Sequence, residues 1–151
     1  MDEVLRKRYQ ELKKKNKETI EKKEMKKNIL LNECLEALEN RYCELNKTLT
    51  KNLFDLFYNK VPITWYGRVE WDNISIKYKI EKVDEIINIV NNNEFYIIWG
   101  EGLPILKTDI KTLINYIDYI LAVEFDTWLF SIDYKEIIEF YHEGEIIVGY
   151  M

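Results

Sequence analysis

Residues Ile120 to Met151, the most informative part of the chain, read ILAVEFDTWLFSIDYKEIIEFYHEGEIIVGYM. It is rich in aromatic and β-branched residues, which favour strands. From Ala122 to Phe130 the pattern has a period of two, as in a β-strand with two different faces. One predicted face holds Val123, Phe125, Thr127 and Leu129, and the other holds Ala122, Glu124, Asp126, Trp128 and Phe130. The stretch therefore predicts the start of an antiparallel sheet.

A β-hairpin is predicted to complete this sheet. Glu136 to Tyr141 would pair with Ile146 to Tyr150 around a turn at Glu143 and Gly144, where glycine supplies the left-handed conformation that such turns need. In that register, Glu139 and Tyr141 share one face of the sheet. The predicted cross-strand pairs are Phe140 with Ile147 and Glu139 with Val148.

The chain before the sheet predicts a long helical region. Residues 2 to about 59 contain neither Gly nor Pro, and Pro62 ends the region. A break is expected near Leu49, where Asn46, Thr48 or Thr50 could cap a new helix. An apolar stripe at helical spacing contains Leu31, Leu35, Leu38, Tyr42, Leu45 and Leu49. The sheet, another helix or a second copy of the chain would have to cover this stripe.

The middle of the chain alternates between strand and helix patterns. Residues 63 to 80 predict one or two strands, and Phe95 to Trp99 predicts another short one. Val83 to Val90 and Thr108 to Tyr119 have helical spacing, the second with Thr108 as its cap. The predicted class is α+β, with a long N-terminal helical region followed by a mainly antiparallel β-sheet with two shorter helices.

Composition sets outer bounds on this fold. With 151 residues and 47% hydrophobic content, the chain is expected to form a single domain, residues 1–151, helical over 1–60 and mixed over 61–151. No apolar run approaches the ~20 residues of a membrane span, and the charged start predicts a cytoplasmic protein.

The cysteine and histidine residues are too few and too far apart for a common metal site. Cys34 and Cys43 would lie on opposite helix faces, and His142 is the only histidine. No metal or cofactor is therefore expected.

The charges are divided unevenly along the chain. Residues 1–30 hold eleven Lys or Arg and six acids, a net of +5, whereas residues 31–151 hold eleven and twenty-one, a net of −10. From Glu94 onward there are eleven acids and three lysines, a net of −8. An extended acidic surface steers and orients a basic partner, and the whole molecule would repel nucleic acid.

Carboxylates on the predicted strand mark a candidate site. Glu124 and Asp126 would point the same way, roughly 7 Å apart, with Glu139 nearby. Such a cluster could bind a divalent cation, act as the acid and base of a glycosidase, lie solvated at an edge, or bind a partner protein. No P-loop, nucleophile elbow or metal-ligand spacing is present, so we expect no enzyme and no catalytic residues. The expected partner-binding residues are Glu124, Asp126, Trp128, Glu139, Tyr141 and Glu143.

Three pieces of the last third of the chain carry a family resemblance. They are Ile98-Trp99 followed by Pro104 to Leu106, then AVEFDTWL at Ala122 to Leu129, and IEFYHEG at Ile138 to Gly144. The segment Tyr96 to Tyr150 that contains them resembles bacterial immunity proteins against polymorphic toxins, both CDI-type immunity proteins and the cognate partners of LXG-type toxins.

This resemblance implies a small cytoplasmic protein that binds the C-terminal domain of one cognate toxin, often a nuclease, and blocks it. An acidic inhibitor would suit a nuclease, whose phosphate-binding groove is basic. The alternative is a structural or regulatory protein that forms a homodimer through the leucine stripe from Leu31 to Leu49.

Overall fold

One antiparallel sheet of seven strands organises the chain, seen in a computed structural model that describes residues 2–100 and 102–151. The strands are β1 (Cys43–Glu44), β2 (Ile76–Ile80), β3 (Glu94–Ile98), β4 (Leu106–Asp109), β5 (Thr127–Ser131), β6 (Glu136–Phe140) and β7 (Ile146–Tyr150). Their spatial order is β1-β4-β3-β5-β6-β7-β2. The helices are α1 (Glu3–Leu38), α2 (Lys47–Lys60), α3 (Ile86–Ile89), α4 (Ile110–Asn115) and α5 (Ile117–Val123). The predicted α+β class is confirmed.

Helices cover both faces of this sheet, so every residue of β5 and β6 is buried. One face packs against α3, α4, α5 and the end of α1, through a core that includes Leu38, Ile86, Leu113, Ile120, Ile138 and Phe140. The other face packs against α2 and the segment that follows it, through Leu53, Phe57, Trp71, Trp128, Ile137 and Ile147. Ile137 and Ile138 therefore point to opposite cores, as the period of two requires.

Trp71 reaches the second face of the sheet because Gly149 lacks a side chain. A Cβ on Gly149 would lie 2.6 Å from the Trp71 ring, closer than carbon atoms pack. The glycine in β7 therefore provides the space for the large indole, a recognised use of glycine inside a strand.

The leucine stripe is divided between two helices and is mostly covered by the chain itself. α1 ends at Leu38, and Asn46 caps α2 by accepting a hydrogen bond from the Leu49 amide at 2.8 Å. The predicted break lies near 39–46 rather than at Leu49, because residues 43–44 pair with β4. Leu31, Leu35 and Leu38 pack in the first core. The part of the stripe from 31 to 38 is therefore not free to form the dimer seam that the sequence offered as an alternative.

The predicted strand from Ala122 to Phe130 is wrong in its first half. α5 continues to Val123, and β5 begins only at Thr127. Ile120 and Val123, one helical turn apart, are both buried, and the Trp99 indole donates to the Ile120 carbonyl at 3.0 Å. Packing of the helix face against the core overrides the strand propensity of these residues.

The predicted hairpin exists, but its register is shifted by one residue. Phe140 pairs with Ile146 and Glu139 with Ile147. The Tyr141 amide donates to the Glu145 carbonyl, so the loop has three residues, His142 to Gly144, instead of two. Gly144 has φ +92°, the left-handed conformation expected at the end of such a loop. Tyr141 lies one residue beyond β6, and its side chain is on the same side of the sheet as Glu139, since Arg68 contacts both of them.

The other elements agree with the sequence in part. The helix at 83–90 and the strand at 95–99 are confirmed as short elements. Residues 63–80 contain a single strand, β2, which follows an isolated bridge between Ile63 and Val69. Asp109, not Thr108, caps α4, since its carboxylate accepts from the Thr112 amide at 2.9 Å. Within the described residues, every helix is too short or too polar to cross a bilayer.

The two ends of α1 should differ sharply in their contribution to stability. Leu38 is fully buried, whereas Leu12 on the same helix is 56% exposed. We expect Leu38→Ala to lower the free energy of unfolding by about 3 kcal/mol, because it leaves a cavity in the core. The matched change Leu12→Ala should alter it by less than about 0.5 kcal/mol. Urea denaturation measures both, and equal values would contradict the packing described for α1.

Candidate interaction surface

Exposed aromatic and charged side chains collect at one end of the sheet. At this end, hereafter the hairpin end, β6 turns into β7 and β5 begins. It contains the turn at 63–69, the segment 124–126 and the hairpin residues 141–145. These segments are brought together by the antiparallel pairing of β5, β6 and β7.

The turn at 63–69 holds two aromatic side chains in solvent. The Thr64 amide donates to the Arg68 carbonyl at 2.7 Å, and the Gly67 amide donates to the Thr64 carbonyl at 3.0 Å. Gly67 has φ +86°, which a residue with a side chain rarely adopts. Trp65 at the tip is 95% exposed, and its ring packs edge-on against Tyr66. A rigid turn that carries an exposed tryptophan is unusual on a surface that binds nothing.

Aromatic side chains form two contacting groups at the hairpin end. One is the Trp65–Tyr66 pair of the turn. In the other, the Tyr141 ring is 4.2 Å, centroid to centroid, from the His142 ring, and His142 in turn contacts Phe125, which is 83% exposed. These five side chains are called the aromatic row: Trp65, Tyr66, Tyr141, His142 and Phe125.

A buried carboxylate positions the base of this row. Glu139 is 1% exposed and accepts hydrogen bonds from four donors that belong to distant parts of the chain. The donors are Arg68 Nε at 2.9 Å, the Val69 amide at 2.7 Å, Trp71 Nε1 at 3.1 Å and Trp128 Nε1 at 3.0 Å. The Glu139 carboxylate thus ties the turn at 63–69 and the following tryptophan to the middle of the sheet.

Arg68 links this buried network to the surface. Its guanidinium also pairs with Glu145 and stacks over the Tyr141 ring at 4.2 Å. Partial burial opposes the charge, but the hydrogen bonds to the two carboxylates raise the pKa of Arg68 further. Desolvation, followed by the carboxylates of Glu143 and Asp126, raises the pKa of the Tyr141 phenol. The tyrosine is therefore neutral, with its ring held by a permanently charged arginine.

The six residues predicted from the sequence reach this region, but in different roles. Trp128 and Glu139 are buried partners of each other and present little surface. Tyr141 belongs to the aromatic row, and Glu143 lies exposed at the turn. Glu124 and Asp126 do not share a strand face, because both precede β5. Whether these residues contact a partner stays a prediction.

Several carboxylates at this end have polar or charged partners in the same chain. Lys27 Nζ lies 2.7 Å from Glu124, and Glu145 pairs with Arg68. His142 Nδ1 lies 3.0 Å from Asp126, within hydrogen-bond distance. The sequence predicted an acidic surface on the sheet; the structure places basic side chains among the acids, and it also buries Glu139. The charge count along the sequence therefore overstated the acidity of the hairpin end.

A groove adjoins the aromatic row on the side of α1. It has a volume of about 790 Å³ and lies between α1, the end of α5 and the hairpin. Leu30, Leu121, Val123, Phe125 and Phe140 supply its apolar lining, and lysines of α1 stand on one wall. Three exposed aromatic residues of this region are absent from the set predicted from the sequence: Trp65, Tyr66 and Phe125. The sequence Trp65-Tyr66-Gly67 does indicate an exposed turn, because glycine favours turns and the two aromatic residues precede it.

A family model identifies what kind of protein carries this surface. The model described as CdiI immunity protein EcoliA0-like matches residues 28–149, which is most of the chain and includes the whole sheet. The chain belongs to this CdiI immunity protein family. No curated protein matches it closely. The resemblance to CDI-type immunity proteins is confirmed, while the link to LXG-type toxins stays a prediction.

Membership of this family gives the general function of the immunity protein. Its role is toxin-neutralising immunity, and its partner is a cognate toxin. The hairpin end lies entirely within the matched residues, as do β5, β6 and β7. Among residues 2–100 and 102–151, no group of His, Cys, Asp and Glu is arranged to hold a metal ion.

Removal of the charge on Glu139 tests the buried network. We expect Glu139→Gln to lower the free energy of unfolding by about 3 to 5 kcal/mol, because Arg68 loses its buried counter-charge and the amide group faces other donors. Glu143→Gln, an exposed control four residues away, should change it by less than about 0.5 kcal/mol. Chemical denaturation followed by tryptophan fluorescence measures both, and a neutral effect of Glu139→Gln would refute the central role of this carboxylate.

Proposed function

We propose that the protein neutralises the C-terminal domain of its toxin by one-to-one binding through the hairpin end. The observation that supports this proposal is the exposure of the aromatic row on a rigid base. Trp65 and Phe125 are almost fully in solvent, although aromatic side chains gain most from burial. A surface of this kind resembles the centre of a protein interface before its partner has bound.

Rigidity favours tight binding in this arrangement. The turn at 63–69 is closed by its own hydrogen bonds, and Arg68 anchors it to Glu139 and Glu145. A partner would therefore not have to order the loop, which reduces the entropic cost of association. A preformed surface therefore suits tight binding of a toxin.

We further propose that the toxin domain is a basic nuclease. The support is the net charge of −10 over residues 31–151. The hairpin end accounts for only part of this negative charge. Acidic residues across the whole body would attract a protein whose surface binds phosphate groups, mainly by raising the association rate. The proposed inhibition is steric and electrostatic, without catalysis or a cofactor. The cytoplasm is the compartment proposed for this encounter, because a nuclease finds its substrate there.

Truncation of two aromatic side chains tests the proposed surface. Co-expression with the toxin domain encoded directly upstream should allow growth, and Trp65→Ala combined with Phe125→Ala should abolish this protection. We expect the double change to weaken binding by at least 100-fold, since interface aromatics often contribute more than 2 kcal/mol each. Calorimetric titration of the purified toxin domain measures the dissociation constant.

Tyr119→Ala is the matched control for this experiment. Tyr119 is a half-exposed aromatic residue on α5, outside the aromatic row. It should bind the toxin domain like the wild type, and circular dichroism should show that all variants are folded. Full protection by the double variant would show that the aromatic row does not contribute to the interface, and no protection by the wild type would refute the proposed function.

Salt dependence tests the proposed basic partner. The association rate should fall as sodium chloride is raised from 50 to 500 mM, because ions screen attraction between opposite charges. Glu143→Lys, which reverses an exposed charge at the turn, should slow association several-fold at low salt and change dissociation little. Stopped-flow fluorescence measures both rates, and a rate that is independent of salt would contradict electrostatic attraction to a basic toxin.

A further inference from the structure

We propose that the groove beside α1 binds an apolar side chain of the toxin that is adjacent to a carboxylate. This inference rests on the proposed function and specifies one part of the interface. It also assigns a role to a stretch of α1 that precedes the residues matched by the family model. The occupant is a segment of the toxin domain with an apolar residue and a neighbouring Asp or Glu.

The floor of the groove determines the apolar part of this occupant. Leu30 of α1 faces Leu121 and Val123 of α5, and Phe125 and Phe140 complete the lining. The volume of about 790 Å³ accommodates a large side chain and part of the adjoining backbone. Such a lining favours an aromatic or long aliphatic residue, because burial of each side chain removes apolar surface from water.

One wall of the groove determines the charge of the occupant. Lys23, Lys26 and Lys27 lie three and four positions apart, so they share one side of α1. Lys27 is paired with Glu124 across the groove at 2.7 Å. Within the part of the chain that the structure describes, Lys23 and Lys26 have no ion pair. Their ammonium groups are thus available to a carboxylate from outside.

The opposite wall offers no competing attraction for a cation. Its carboxylate, Glu124, is already bound to Lys27, and His142 is engaged by Asp126. A positively charged segment would be repelled by two unpaired lysines at the rim of the groove. An acidic segment would instead gain two charge-assisted hydrogen bonds at the rim. The groove therefore favours an acidic segment of the toxin, whereas the negative net charge of residues 31–151 favours a basic partner.

The two walls also differ in their relation to the family. The wall formed by residues 121–125 and 140–144 lies within the matched region, whereas Lys23, Lys26 and Lys27 all precede residue 28. A wall that is formed by residues outside the matched region can distinguish one toxin from another. The lysine wall is accordingly assigned as a specificity-determining part of the interface.

Charge reversal on α1 tests this assignment. The binding partner is the purified toxin domain encoded directly upstream, titrated against the full chain. We expect Lys23→Glu combined with Lys26→Glu to weaken binding at least tenfold. Lys14→Glu combined with Lys15→Glu changes the net charge equally on an exposed part of the same helix, and it should weaken binding less than twofold.

The outcomes separate this inference from the proposed function. If the wild type does not bind the toxin domain, the proposed function fails. If the wild type binds and both double variants bind equally well, only the lysine wall is refuted. A much larger loss for the Lys23 and Lys26 variant supports it, because a general effect of net charge would affect both variants alike.

Small molecules test the chemistry of the groove without any toxin. In amide NMR titrations, 3-phenylpropionate should shift the signals of Leu30, Val123 and His142, whereas 3-phenylpropylamine, the cation of similar shape, should leave them unchanged. The variant with Lys23→Glu and Lys26→Glu should lose the response to the carboxylate. Equal shifts by both compounds, or none by either, would overturn the proposed selectivity for an apolar group beside a carboxylate.

Discussion

The hydrogen-bonded carboxylate of Glu139 is the interaction on which the hairpin end depends. It lies in β6, an inner strand of the sheet, and accepts hydrogen bonds from the turn at 63–69, from Trp71 and from Trp128. A buried charge is costly unless all its hydrogen-bonding capacity is used. Four donors meet that condition here, and they can do so only when the turn is in place over the sheet. The site and the core are therefore coupled through one residue.

The acidic character of the chain serves two purposes that the sequence does not separate. Glu136 and Glu139 are buried acceptors that hold loops to the sheet, the first by accepting from the amides of Asn91 and Asn92 at 2.8 Å. Glu124, Asp126 and Glu145 are paired with bases at the hairpin end. The surface offered to a toxin is thus a row of aromatic rings with mixed charges around it. Its specificity would come from the pattern of those charges more than from their sum.

The sequence predicted the elements of the fold better than their ends. β6, β7 and the turn between them followed from alternation and one glycine, yet a loop longer by one residue shifted every cross-strand pair. Of the strand expected at 122–126, residues 122 and 123 belong to the end of α5, and residues 124–126 connect α5 to β5. The helix is favoured because Ile120 and Val123 pack into a core that a local pattern cannot reveal. The candidate site was found only in part for the same reason. Tyr141 and Glu143 are at the surface, whereas Trp65 and Phe125 were assigned to strands.

The amino-acid sequence was sufficient to predict the α+β class, the β6–β7 hairpin and the resemblance to CDI-type immunity proteins, because these depend on local periodicity and on contiguous motifs. Only the folded chain shows which acids are buried, which acids pair with basic side chains and which aromatic residues meet at one end of the sheet. Those properties arise from contacts between residues such as Arg68 and Glu139, which are 71 positions apart in the chain. No pattern within a short window contains such a pairing, since the fold of the whole sheet brings the two groups together.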